Sequence, residues 1–99
     1  MQTQAVLVQQ LSEQLRRKQW RVSTAESCTG GLIAAAITEL AGSSDVFECG
    51  FVTYSNKAKQ KQLGVPASLL IEHGAVSEPV ALAMAKGAAV SAAADVSVA

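Results

Sequence analysis

The stretch Ala25-Glu26-Ser27-Cys28-Thr29-Gly30-Gly31 limits most strongly what this chain can fold into. It ends a strand-like segment, Val22 to Ala25, and opens a run in which Leu32, Ile33, Ile37, Leu40 and Ala41 recur at helical spacing up to Gly42, a suitable C-cap. A strand that turns directly into a helix is the first half of a β-α-β unit, so the pattern predicts a sheet covered by helices. It also places Ser27 near a helix N-cap. The first N–H groups of a helix are unpaired and carry partial positive charge, so they can hold a phosphate, a carboxylate or an acyl-transfer oxyanion. Gly30 and Gly31 let a ligand approach the backbone. A purely structural reading stands beside this one, because Ser and Thr are favoured N-caps and Gly-Gly is common in loops. Against it, each Gly costs about 1 kcal/mol relative to Ala in a helix interior, less near an end, and such a cost without structural return points to close backbone contact.

The remaining segments fit the same scheme. From Thr3 to Gln19, Leu7, Leu11 and Leu15 repeat every four residues with Val8 beside them, which predicts an amphipathic helix. Arg16, Arg17 and Lys18 fall in its last turn, where cations complement the helix dipole. After a loop at 42–45, Gly50 to Ser55 is predicted as a second strand, Asn56 as the cap of a short helix through Leu63, and Gly64 as its end. Pro66 leads into a helix over Ala67–His73 ended by Gly74, and Ser77-Glu78-Pro79 starts another that runs to about Ala93. Asp95 to Ala99 reads as a third strand. The order α-β-α-β-α-α-β predicts a three-layer α/β/α sandwich with a mostly parallel sheet, and the stop after an apolar strand is expected of the N-terminal portion of a single domain.

Charge and cysteine content narrow the function. Among 99 residues, eight basic and eight acidic side chains give a formal net charge of zero, which does not suit general nucleic-acid binding. Hydrophobic residues are 49% and aromatics only 4%, so the core is expected to be built from small side chains. Cys28 and Cys49 form no C-x-x-C or Cys/His ligand set, and no metal site is expected. With no secretory pattern over residues 1–20 and no run of membrane-spanning length, the expectation is a cytoplasmic protein with free thiols and no membrane partner. An exposed Ala-rich helix could support a homodimer.

The lysines that follow the second strand are not equivalent. Lys57 and Lys61 share a helix face, whereas Lys59 lies about 200° from Lys57 and shares its face with Leu63. If Leu63 faces inward, so does Lys59. Such a lysine either snorkels along its stem to water or is desolvated, and a desolvated amine is a usable base. His73 is the lone histidine and has no second candidate ligand near it, while Met84 is expected to fill core space.

Three motifs now stand in order: Ala25–Gly31, then Gly50-Phe51-Val52-Thr53-Tyr54-Ser55-Asn56-Lys57-Ala58-Lys59, then His73-Gly74-Ala75-Val76-Ser77-Glu78-Pro79. Together they closely resemble the CinA C-terminal-domain family, which includes nicotinamide-nucleotide amidases of the PncC type. The resemblance covers essentially the whole chain. In that family a Gly-rich segment and further strands and helices follow the third strand, and part of the ligand pocket is expected there.

The resemblance implies hydrolysis of the carboxamide of nicotinamide mononucleotide to nicotinic acid mononucleotide and ammonia, without a cofactor. Ser27 would be the nucleophile, Lys59 the base, and Tyr54 a group that orients or relays the proton. Backbone N–H groups from Cys28 to Gly30 would hold the oxyanion. Cys28, Thr29, Gly30 and Gly31 would contact substrate, with Thr53 and Asn56 as weaker candidates. Two alternatives stay open. Cys28 could be the nucleophile, although it lacks a histidine partner, and the domain could be a non-catalytic nucleotide-binding module of a competence-related protein.

Overall fold

A computed structural model describes residues 3–99. Helix α1 spans Gln4–Lys18, strand β1 Val22–Glu26, α2 Leu32–Thr38, β2 Phe47–Val52, α3 Asn56–Leu63, α4 Ala67–His73, α5 Glu78–Ala92 and β3 Val96–Val98. A single 3₁₀ turn at Ser43–Asp45 precedes β2. The three strands are parallel, in the order β2-β1-β3.

Because β1 is central, its five residues are all buried, and alternate side chains serve two cores. Val22 joins Leu15 of α1, Ile37 of α2 and Val46 on one face. Ala25 joins Leu63 of α3, Leu70 of α4 and Val80, Met84 and Ala88 of α5 on the other. The layers are therefore α1 and α2, the sheet, and α3 to α5. The chain leaves β1 over one face to reach β2 and leaves β2 over the other to reach β3, so the strand order reverses at β1. In open parallel sheets, ligand crevices form outside the carboxyl end of the strand at such a reversal. Ser27 follows β1 at that end.

Two expected elements are shifted. The second strand starts at Phe47 rather than Gly50 and stops at Val52, so Thr53, Tyr54 and Ser55 lie in the turn before α3. The strand stops where its partner does, Glu26 pairing with Val52, and it carries a register slip near its start: Val22 pairs with Phe47 but Ser23 with Cys49, which leaves Glu48 unpaired. Beyond the slip the strand presents its other face, so Phe47 packs with the α1–α2 core and Phe51 with the α3–α5 core. Helix α2 ends at Thr38, short of the predicted Gly42, which instead takes a left-handed conformation ahead of the 3₁₀ turn.

Arg21 ties the amino ends of the strands together. Its Nε donates to Glu48 Oε2 at 2.8 Å, its guanidinium donates to the carbonyls of Asp45 and Phe47, and its backbone N–H donates to Asp95 Oδ2 at 2.8 Å. This explains why the unpaired Glu48 is tolerated.

The core also carries uncompensated polar atoms. The hydroxyls of Ser12, Ser23, Thr24 and Thr53 are buried without a hydrogen-bond partner among the described residues. Ser12 lies inside α1, where Ala is the better helix former and leaves nothing unsatisfied. Ser12→Ala is therefore expected to raise stability by about 1 kcal/mol, or roughly 4–8 °C in Tm. A thermal melt showing a loss instead would mean that this hydroxyl has a partner in solution.

Candidate active site

The turn between β2 and α3 is short and well capped. Ser55, not the expected Asn56, is the N-cap: its hydroxyl accepts from the Ala58 N–H at 3.0 Å. With the start of α3 fixed in this way, Lys59 and Leu63 fall on its inner face, and both are buried. Only 1% of Lys59 is exposed, so its amine does not snorkel to water. Instead Nζ lies 3.0 Å from Ser27 Oγ and 3.0 Å from the Tyr54 carbonyl oxygen. Ser27 Oγ is 3.4 Å from that same carbonyl. No carboxylate forms an ion pair with Lys59 among the described residues. A hydroxyl, an amine and a main-chain carbonyl thus meet at the carboxyl ends of β1 and β2.

The loop that presents Ser27 is held by Glu26. This side chain is 4% exposed and accepts three hydrogen bonds: from the Ile33 N–H at 2.6 Å, the Ala34 N–H at 3.1 Å and the Thr29 hydroxyl at 3.0 Å. The N-cap of α2 is Gly31, at φ 119°, with no capping side chain. Ser27 therefore does not sit at the helix start as its sequence context suggests, and the Glu26 carboxylate, rather than a ligand, takes the Ile33 and Ala34 N–H groups in the first turn of α2. The Gly30 N–H is also committed, donating to the Ser27 carbonyl at 3.2 Å. Those of Cys28 and Thr29 donate to no acceptor among the described residues.

A cavity of about 550 Å³ opens beside Ser27. One wall is Glu26 to Thr29 with Ile33, and the other is Ala75 to Glu78 with Ala81 and Met84. A larger groove between α3, α4 and α5 is lined by Leu63, Pro66, Leu82 and Val90 and lacks Ser27 and Lys59, so it lies away from this chemistry.

Comparison with known proteins shows the family. A family model for the CinA C-terminal domain matches residues 4–99. The chain belongs to that family. It is 53% identical over 92 residues to the nicotinamide-nucleotide amidohydrolase PncC of Escherichia coli K12, covering 93% of this chain and 56% of that protein. A CinA-like protein of Syntrophobacter fumaroxidans is 60% identical over 78 residues, covering 79% of this chain and 18% of the longer relative. Among solved structures, a CinA superfamily protein from Escherichia coli superposes with a TM-score of 0.92 at 44% identity, covering 96% of this chain and 55% of that one. This CinA-domain chain thus spans about half the length of its PncC relative and a much smaller share of its CinA-like one.

Within the CinA domain, the expected site residues fall into three groups. Ser27 and Lys59 are in direct contact. Cys28 and Thr29 line the cavity beside them. The others are placed differently. The Tyr54 side chain is 74% exposed and its phenol forms no hydrogen bond among the described residues, so Tyr54 reaches the pair through its carbonyl. Thr53 has no exposed surface, which removes it as a direct ligand contact in this conformation. Asn56 is an exposed first residue of α3, and neither it nor Gly30 or Gly31 lines the cavity. Glu26 belongs to the site but stands outside the expected set. Its only signal was a carboxylate just before a loop whose helix lacks a capping side chain. Among the described residues, no helix is long and apolar enough to cross a membrane.

Proposed function

We propose that this chain carries the nucleophile and base of an amidohydrolase acting on nicotinamide mononucleotide. The observation that carries the proposal is the 3.0 Å contact between Ser27 Oγ and the buried Lys59 Nζ, with Ser27 and the rest of its loop lining one side of a cavity. The identity to PncC supports the choice of substrate.

The reaction requires Lys59 as the free amine. In that form the Ser27 hydroxyl donates to the nitrogen lone pair, while an amine hydrogen stays on the Tyr54 carbonyl and fixes the direction of the lone pair. Ser27 Oγ attacks the carboxamide carbon as its proton moves to Nζ. The C–N bond then breaks, and the lysine returns the proton to the departing ammonia. Water, deprotonated by the same amine, cleaves the resulting acyl ester to give nicotinic acid mononucleotide and free Ser27. The N–H groups of Cys28 and Thr29 are the donors left for the oxyanion, a contribution of order 3 kcal/mol each. This narrows the expected set, since Gly30 is already bonded.

The competing reading is a nucleotide-binding module without turnover, consistent with the CinA-like names among the relatives. Incubating the chain with nicotinamide mononucleotide and assaying ammonia and nicotinic acid mononucleotide separates the two. Both products are expected in equal amounts; binding with neither product would establish the module instead.

A further inference from the structure

The cavity beside Ser27 has a charge character that the amide chemistry does not require. Its walls are mainly apolar, lined by Ile33, Ala75, Val76, Ala81 and Met84, and among the described residues no lysine or arginine lines it. Three polar side chains on it are already committed. Glu26 is held by its three donors, and Thr29 is one of them. Ser77 Oγ donates to the Gly74 carbonyl at 2.8 Å and accepts from the Val80 N–H. Glu78 differs: it is exposed at the first residue of α5 and has neither a side-chain hydrogen bond nor an ion-pair partner among the described residues. The opposite wall carries the nucleophile. An acyl group that reaches Ser27 therefore lies against apolar side chains, in a cavity that the Glu78 side chain also lines.

Resting on the amidase reading, we propose that Glu78 is a specificity-determining residue that favours a cationic ring over a neutral one in the acyl subsite. The ring of nicotinamide mononucleotide is an N-alkylated pyridinium, whose delocalised charge is weakly hydrated and suits an apolar wall with a nearby carboxylate. Its reduced form has the same ribose, phosphate and carboxamide but a neutral ring. The two ligands thus differ in the ring alone, in its charge and its aromaticity, and only the charge should respond to Glu78→Gln.

The test is calorimetric binding of nicotinamide mononucleotide and of its reduced form to the wild-type chain, Glu78→Gln and Glu78→Asp, with ammonia release followed separately. Glu78→Gln is expected to weaken binding of the cationic ligand about fivefold, the upper range for a partly exposed charge pair, and to leave the neutral ligand within about 1.5-fold. Glu78→Asp should keep most of the preference. A role limited to stabilising the start of α5 would move both ligands together. Equal weakening of both, no change in either, or failure of the wild type to bind either ligand overturns the proposal. The preference without ammonia release would sink the amidase reading and leave this one standing. Ammonia release with an unaltered preference in Glu78→Gln would do the reverse.

Discussion

Lys59→Met should abolish amide hydrolysis while leaving the fold as stable as before or more so. Methionine retains most of the buried stem and removes only the amine, whose partners are the Ser27 hydroxyl and the Tyr54 carbonyl. A buried amine with no carboxylate partner is a poor contributor to stability, so its loss is not expected to lower Tm. Its loss to catalysis should be about a thousandfold or more in kcat, typical of removing a base that also activates the nucleophile. Ser27→Ala should cost the same, and so should the double variant, because in the proposed mechanism the two groups act as a unit. Cys28→Ser should be tolerated. Tyr54→Phe should lose far less than either, since it keeps the carbonyl and removes only an exposed phenol. Rates measured for these variants beside their melting curves decide the matter. Activity in Lys59→Met near that of wild type would end the proposed mechanism, and a severe defect in Tyr54→Phe would restore the phenol as a proton relay.

The second large effect concerns folding. Gly87 lies on α5 where it crosses the end of α3, and a Cβ there would overlap the Leu63 carbonyl and Cα. In an open helix, Gly→Ala gains about 1 kcal/mol. Here the overlap is with backbone, which cannot rotate aside, so α3 must move off α5. The expected result is a net destabilisation of about 3 kcal/mol, the upper range for overpacking, and a fall in Tm on the order of 10–20 °C. The sign alone distinguishes the two effects. Because Lys59 is one turn from Leu63 on the same helix, the variant should also lose turnover at temperatures where it remains folded. A Gly87→Ala protein that melts higher than wild type would show that the helices can separate without cost.

Much of this was legible in the sequence because the deciding signals were local. The four-residue spacing of Lys59 and Leu63 puts them on one helix face, and the structure buries both; spacing alone left open whether the amine snorkels or stays buried, and the contacts with Ser27 and the Tyr54 carbonyl decide it. The caps at Ser77 and Gly64 likewise lie where the residue types indicated. What escaped depends on contacts between distant segments. The register slip at Glu48 reflects Arg21 reaching across from the start of β1, and no periodicity within β2 encodes it. Thr53 and Tyr54 have strand-like side chains but follow the strand, because β1 itself ends at Glu26, the partner of Val52. The Tyr54 carbonyl was invisible for a simpler reason: a main-chain atom carries no residue identity.

Glu26 bridges the end of the central strand and the first turn of α2, making the five residues from Ser27 to Gly31 a closed loop pinned at both ends. Ser27, the proposed nucleophile, is thereby held in place as long as helix and sheet stay joined. The ordering of its side chain is thus met once, when the polypeptide collapses, instead of anew in every catalytic cycle.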